Sequence, residues 1–125
     1  MFTGDCGGLV MLIPEEIKIY VYTEPADMRK SFWGLSGLVN NVMGKDPRSG
    51  ALFAFFNKRR DLVKLLWYEP EGNARGFSIW MRKLDEGCFS NKVHVSEPTT
   101  SLSITISELS FLIEEVKKRK MQIRP

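Results

Sequence analysis

The feature that most constrains the fold of this chain is a series of three short apolar segments separated by turn-forming residues. The segments are Ala51–Phe56, Leu62–Tyr68 and Phe77–Leu84, and the links between them are Asn57–Asp61 and Glu69–Gly76. Apolar segments of this length, bounded by turn residues, are typical of β-strands. Because consecutive strands with short links pair with their neighbours, the sequence predicts an antiparallel meander.

The residues before the meander predict one strand and one helix. In Lys18–Thr23, β-branched and aromatic side chains alternate, as is typical of strands. From Met28 to Met43 the apolar residues recur at three- and four-residue spacing, which predicts an amphipathic helix. Asp27 is expected to cap the first turn of this helix, and Gly44 is expected to end it.

The residues after the meander predict a second helix. Thr105 and Glu108 form a T-x-x-E capping box, in which each side chain accepts a hydrogen bond from the other residue's main chain. We expect this helix to run into the basic residues Lys117–Lys120. Between the meander and the helix, Lys92–Val95 predicts a short strand and Ser101–Ile104 a strand at a sheet edge.

Together these elements predict an α+β fold: an antiparallel β-meander of three or more strands packed against a helix in the N-terminal half, with a C-terminal helix. The 125 residues are close to the commonest size of one domain. We therefore expect residues 11–125 to form a single domain and residues 1–10 to be a poorly ordered extension.

The register of the meander follows from the two-residue period of strand side chains. Pairing Phe56 with Leu62 and Trp67 with Phe77 places one wholly apolar face of the sheet under the first helix. The opposite face then combines apolar and polar side chains, and we call it the mixed face. Its members are Leu52, Ala54, Phe56, Leu62, Lys64, Leu66, Tyr68, Ser78, Trp80 and Arg82.

Cysteine usage and hydropathy indicate the compartment. Cys6 and Cys88 belong to no paired motif, so we expect free thiols in the reducing cytoplasm. No apolar run has the length of a membrane span. The N-terminus lacks the basic start of a signal peptide, and we expect no membrane association.

The sequence gives little indication of catalysis. The glycine-rich phosphate-binding motifs G-x-x-x-x-G-K-[ST] and G-x-G-x-x-G do not occur. The single histidine, His94, and two distant cysteines do not supply a usual zinc site. Asp27, Asp46, Asp61 and Asp85 could be imagined as a two-metal nuclease cluster, but each has an ordinary use as a cap or turn residue. We expect no enzyme activity, no metal and no cofactor.

Basic residues are concentrated in two places, residues 45–64 and residues 117–125, although the net charge of +3 is mild. Within the first, Lys58, Arg59 and Arg60 lie together at a predicted turn. Cations there and on the mixed face could contact DNA phosphates without reading sequence. The candidate DNA-binding residues are Lys58, Arg59, Arg60, Lys64 and Arg82. The alternatives are a solvated turn that prevents strand pairing with other chains, and packing of Lys64 and Arg82 under the last helix with their charged ends outward.

Two further features have alternative interpretations. The apolar part of the mixed face would form a protein-binding or homodimer surface if it is exposed. The candidate partner-binding residues are Leu52, Phe56, Leu66, Tyr68 and Trp80. The run Lys117–Lys120 either complements the helix dipole or forms a phosphate-contacting tail.

Four blocks of residues, in order along the chain, carry a resemblance to a known family. The blocks are Asp27-Met28-Arg29-Lys30 with Phe32, Gly34 and Leu35; Asp46-Pro47-Arg48-Ser49-Gly50 with Leu52-Phe53-Ala54-Phe55; Asn57-Lys58-Arg59-Arg60-Asp61 with Val63-Lys64-Leu65-Leu66-Trp67-Tyr68; and Gly76-Phe77 with Arg82-Lys83-Leu84, Gly87 and Phe89. From about residue 12 to residue 117 the chain resembles the small accessory protein, TnpB or the second open reading frame, of bacterial insertion-sequence-66-type transposons.

The resemblance implies an intracellular bacterial protein that is encoded beside a transposase and needed for efficient transposition. Its implied partners are the transposase, transposon DNA or both. It does not extend to the unrelated RNA-guided nuclease that shares the name TnpB. Arg29 and Lys30 fall in the first predicted helical turn, where the dipole disfavours cations. We therefore expect them to bridge to Asp61 or to hold a phosphate.

Overall fold

A computed structural model describes residues 16–90 and 99–117 of the chain. In chain order the elements are β1 (Ile19–Tyr22), α1 (Phe32–Asn41), β2 (Leu52–Phe56), β3 (Leu62–Glu69), β4 (Gly76–Lys83), β5 (Cys88–Phe89), β6 (Ser101–Ile104), α2 (Ile106–Glu114) and β7 (Val116–Lys117). The α+β class is confirmed, with one helix in the N-terminal half and one near the C-terminus. The predicted strand at Lys92–Val95, the extension at residues 1–10, and His94 and Cys6 lie outside the described residues, and the predicted single domain over residues 11–125 extends beyond them.

The main sheet has five strands in the order β4-β3-β2-β1-β6. The meander of β2, β3 and β4 is antiparallel, as predicted, and β6 pairs antiparallel with β1 at one edge. The sequence did not indicate that β1 pairs parallel with β2. This pairing is possible because α1 lies between the two strands in the chain and provides the long crossover that parallel neighbours require.

Each face of the sheet is covered by one helix. On one face, Leu35 and Val39 of α1 pack with Phe53, Phe55 and Leu66. On the other face, side chains of α2 and β5 pack with the opposite residues of the strands. The buried members of this second cluster are Ile19, Val21, Leu52, Ala54, Phe56, Val63, Leu65, Phe89, Ile104, Leu109, Leu112 and Ile113. The middle strand β2 is therefore buried along its whole length.

The predicted register of the meander is wrong by one residue at each pairing. Phe56 lies opposite Val63 rather than Leu62, and Trp67 lies opposite Ser78 rather than Phe77. Since neighbouring side chains alternate between faces, a shift of one residue turns β3 over. Phe53 and Phe55 do lie under α1, as predicted. On β3, however, Lys64, Leu66 and Tyr68 share that face, whereas Val63, Leu65 and Trp67 face α2.

The first helix is shorter than predicted and begins later. It starts at Phe32, after the N-cap residue Ser31, whose side chain makes no capping hydrogen bond. Asp27 is not the cap: its Oδ1 accepts a hydrogen bond from the main-chain nitrogen of Arg29 at 3.0 Å, in a local turn. At the other end, Gly44 lies beyond the helix with a positive φ of 69°, which glycine adopts at little cost.

The second helix confirms the predicted capping box but ends earlier than expected. The side chain of Thr105 accepts from the nitrogen of Glu108 at 3.1 Å, and that of Glu108 accepts from the nitrogen of Thr105 at 2.9 Å. The helix ends at Glu114, and Val116–Lys117 pairs with β5 instead of continuing it. Lys118–Lys120 lies outside the described residues. Neither helix has the length and apolar character needed to cross a membrane.

Candidate nucleic-acid interface

The turn between β2 and β3 is closed by the side chain of Asn57. Its Oδ1 accepts hydrogen bonds from the main-chain nitrogens of Asp61 and Leu62 at 3.0 and 3.1 Å. The nitrogen of Asn57 donates to the carbonyl of Leu62 at 3.1 Å, which makes these two residues the last main-chain pair of the hairpin. This closure sets the register and leaves residues 58–61 to form the turn.

Arg60 faces inward from the turn rather than toward solvent. It has a positive φ of 56°, and its guanidinium lies 4.2 Å from the centre of the Phe56 ring. The same guanidinium donates to the carbonyl of Ser90 at 2.6 Å and to that of Phe89 at 3.4 Å. Burial lowers the pKa of Arg60 from its ordinary value. This candidate DNA-binding residue therefore ties the turn to the segment around β5.

Asp61 is buried within the turn, and both of its carboxylate oxygens accept hydrogen bonds. Its carboxylate accepts hydrogen bonds from Asn57 Nδ2 at 2.7 Å and from Lys83 Nζ, and Arg59 Nε lies 3.9 Å away. The hydrogen bonds from Lys83 and Asn57 lower the pKa of Asp61 from 3.8 to about 2. The carboxylate neutralises part of the local positive charge. Arg29, which was expected to bridge to Asp61, pairs with Asp27 at 2.8 Å instead.

Lys64 is buried under α1, with 8% of its surface exposed. Its ammonium group donates to the carbonyls of Met28 and Lys30 at 2.8 and 2.7 Å. The sequence placed Lys64 on the mixed face, and the register shift places it on the opposite one. In this arrangement its charge is directed into the protein and stabilises the loop before α1.

Four other cations form the accessible surface at this corner of the sheet. The side chain of Arg59 is 67% exposed and that of Lys83 is 57% exposed, and Lys58 is exposed at the turn. Leu62 lies opposite Lys83, so the end of β4 lies beside the turn. Arg82 lies 4.8 Å from the Trp80 ring. We call Lys58, Arg59, Arg82 and Lys83 the basic turn surface. The acidic residues Asp85 and Glu86 follow it in the chain.

The apolar residues predicted to bind a partner do not share one surface. Leu52, Phe56 and Leu66 are at most 2% exposed, and Leu66 lies on the opposite sheet face from the other two. Tyr68 and Trp80 are partly buried on opposite faces. The predicted mixed face is therefore not a single exposed patch in this structure.

Two exposed apolar sites, one on α1 and one on β4, were not predicted from the sequence. Trp33 of α1 is 77% exposed, with Phe32 beside it at 41%, and Met81 of β4 is 58% exposed. The position of Trp33 outside the apolar stripe of α1 is a signal that could have identified it. Lys83 was missed because the incorrect register placed Arg82, not Lys83, opposite Leu62.

The acidic side chains of the described residues are not gathered into a metal-binding cluster. Residues 16–90 and 99–117 contain no group of three or more His, Cys, Asp or Glu side chains that could hold a metal ion. A cleft of about 450 Å³ lies between the start of β1 and the turn before β2. Its charged side chains are two acids and two lysines, Glu16, Asp46, Lys18 and Lys45. Lys45 lies over the Tyr20 ring at 4.6 Å.

The fold and the basic turn surface define a small α+β protein that presents cations at one corner of a helix-covered sheet. A comparison with known families identifies it further. The family described as IS66 Orf2 like protein matches residues 17–123, and the chain belongs to this family. The four blocks that carried the resemblance all fall within the match, and the protein is associated with transposition.

Two relatives come from Sinorhizobium fredii (strain NBRC 101917 / NGR234). The chain is 27% identical over 108 residues to the uncharacterized protein y4hO, covering 86% of this chain and 88% of that protein. It is 34% identical over 56 residues to the uncharacterized protein y4jC, covering 45% of this chain and 48% of that protein. No solved structure matches the chain significantly.

Proposed function

We propose that this protein is a non-enzymatic accessory factor for DNA transposition that holds DNA through its basic turn surface. The observation that carries the proposal is the convergence of cations from two segments, the β2–β3 turn and the end of β4, at one exposed corner. The buried carboxylate of Asp61 accepts a hydrogen bond from Lys83 and lies near Arg59. The family supports the transposition role, and the DNA contact is inferred from this geometry.

The contact would be mainly to phosphate. Exposed lysines and arginines bind the DNA backbone by displacing counterions, and they do so without reading base sequence. Arg82, stacked beside Trp80, adds a planar donor group to the same corner. Of the candidates from the sequence, Lys58, Arg59 and Arg82 keep a direct role in this proposal. Arg60 supports it by tying the turn to the segment around β5. Lys64, which is bonded to the loop before α1, takes no direct part.

A binding titration over a range of salt concentrations tests the proposal. The wild type would be compared with the Lys58→Gln, Arg59→Gln double variant on transposon-end DNA and on unrelated duplex DNA. We expect weaker binding by the variant to both DNAs and a smaller dependence on salt. Lys18→Gln is the control, because it removes an exposed lysine beside the start of β2, at the end of that strand away from the turn. Equal affinities of the wild type and the double variant at every salt concentration would overturn the DNA proposal.

A second candidate function is binding to the transposase itself, and the exposed aromatic residues of α1 favour it. Trp33 and Phe32 present large apolar surface at the start of the helix. Tryptophan is enriched among the residues that dominate protein–protein binding energy. The site differs from the mixed face expected from the sequence, because Leu52, Phe56 and Leu66 are in the core.

Co-purification with the cognate transposase tests this second function. Trp33→Ala is expected to abolish the association, whereas Phe111→Ala on α2, which also removes an exposed aromatic side chain, is expected to leave it intact. Failure of the wild-type protein to associate at micromolar concentration would count against the function. We expect either function to operate in the cytoplasm, where Cys88 stays a free thiol.

A further inference from the structure

Strand β4 forms one edge of the five-stranded sheet. It pairs with β3 on one side, and no strand among residues 16–90 and 99–117 pairs with its other side. The strand is eight residues long, Gly76–Lys83, and its register with β3 is continuous, without a bulge. It contains no proline. Edge strands that lack bulges and prolines are open to pairing with another strand.

The residues whose main-chain groups face the open edge can be identified. In an antiparallel ladder, alternate residues direct both their N–H and C=O groups to the neighbouring strand. The nitrogen of Leu84, directly after β4, donates to the carbonyl of Asp61 at the end of β3. Even-numbered residues of β4 therefore bond to β3, and the odd-numbered ones direct their N–H and C=O groups outward. The outward-directed residues are Phe77, Ile79, Met81 and Lys83.

The side chains along this edge are mostly apolar. Phe77, Ile79 and Met81 lie on the α1 side of the sheet, and Trp80 lies on the α2 side. Met81 is 58% exposed. Charged side chains, which discourage pairing at a sheet edge, occur only at one end of β4, at Arg82 and Lys83. An edge of this kind is suited to a partner strand that brings apolar residues to its middle and no cations opposite that end.

We propose that the partner is a second copy of this chain, with the two β4 strands pairing antiparallel about a twofold axis at Trp80. Outward-directed residues must lie opposite each other, so Ile79 would pair with Met81 of the other copy and Phe77 with Lys83. Trp80 would lie opposite its own copy. The same patch serves both subunits, as a twofold interface requires.

Charge complementarity selects this register. Continuing the pairing past the strand ends places Arg75 of one copy opposite Asp85 of the other, twice in the dimer. Both residues are exposed, and neither forms an ion pair with another described residue. The alternative axis at Ile79 would place Arg75 opposite Lys83, and like charges in cross-strand positions are destabilising. The proposal does not depend on DNA or transposase binding.

A charge-swap series, measured by sedimentation equilibrium without DNA, tests the interface. We expect a wild-type dimer, and each of Arg75→Asp and Asp85→Arg should raise the dissociation constant about tenfold, because two opposite-charge pairs become like-charge pairs. The double variant should restore the dimer to within about threefold of the wild type. A wild type that stays monomeric at the highest soluble concentration would overturn the proposal, as would failure of the double swap to restore pairing.

A second variant tests the main-chain pairing. Met81→Pro removes an N–H group that faces the open edge, but it removes no hydrogen bond to β3. The subunit should therefore keep its circular dichroism spectrum and become monomeric. Met81→Leu, which keeps the N–H group, should remain dimeric. A dimer that persists in folded Met81→Pro would place the interface elsewhere. If the proline variant does not fold, the charge-swap series decides the matter alone.

Discussion

The ammonium group of Lys64 donates a hydrogen bond of 2.8 Å to the main-chain carbonyl of Met28. A second bond from the same group, to Lys30, joins the middle of β3 to the loop that precedes α1. Two of the four blocks that carried the family resemblance are therefore connected by one buried side chain. This connection anchors the loop before α1, whose N-cap residue makes no side-chain hydrogen bond.

Replacing Lys64 with methionine should destabilise the protein by about 2 kcal/mol, because two partly buried carbonyls lose their donor. Urea unfolding measures the change. Lys58→Met at the exposed turn is the control and should change the free energy of unfolding by about 0.5 kcal/mol or less. The folded Lys64→Met protein should keep the salt dependence of DNA binding. A flatter dependence would instead identify Lys64 as a phosphate contact.

Asp61 should contribute to the acid sensitivity of the fold. Its pKa in the folded protein, about 2, lies below its ordinary value of 3.8. The carboxylate therefore stabilises the folded state above pH 3.8, and this contribution is lost as the pH falls through about 2. The free energies of unfolding of the wild type and Asp61→Asn should converge over this range.

Asp27→Asn is the comparison for that measurement. The hydrogen bond from the Arg29 side chain holds the pKa of Asp27 well below its ordinary range, but this pair is exposed, so it should add little stability. A wild type that loses no more stability on acidification than Asp61→Asn would show that the turn does not depend on the Asp61 carboxylate.

The capping box should make a measurable contribution to α2. Thr105→Ala removes the side-chain acceptor for the Glu108 nitrogen and should cost about 1 kcal/mol in the free energy of unfolding. Thr105→Ser keeps the hydroxyl and should recover most of the loss. Thermal or urea unfolding of the two variants would decide the point, and equal stabilities would contradict the assigned cap.

The basic turn surface predicts a quantitative salt effect. If Lys58 and Arg59 each contact one phosphate, the double glutamine variant should lower the slope of log affinity against log salt concentration by about 2 for duplex DNA. Lys18→Gln should leave the slope unchanged. A lower affinity with an unchanged slope would indicate that the two residues act through the conformation of the turn and not through phosphate.

The sequence predicted the features that depend on neighbouring residues. The meander, the edge strand at Ser101–Ile104 and the capping box of Thr105 and Glu108 follow from local patterns, and the structure confirms them. The parallel pairing of β1 with β2 was not accessible in this way, because it depends on the path of the chain through α1.

The candidate site was harder to predict because its cations look alike in a sequence. A lysine in the middle of a strand has the same pattern whether it is solvated or, like Lys64, bonded to carbonyls of a distant loop. Arg60 is likewise drawn away from solvent, by contacts with Phe56 on the preceding strand and with Ser90, which is distant in the sequence. The one-residue error in the β2–β3 register arose because Asn57 closes the hairpin by pairing with Leu62, a choice that depends on turn geometry.

The pairing of β1 with β6 has a consequence for synthesis on the ribosome. Ile19 lies opposite Ile104, so β1 acquires one of its two neighbours only after most of the chain has left the exit tunnel. The meander is local and is free to form earlier. A nascent chain that stalls before residue 101 would leave one side of β1 open to strands of other nascent chains, and chaperone binding at this stage would protect it.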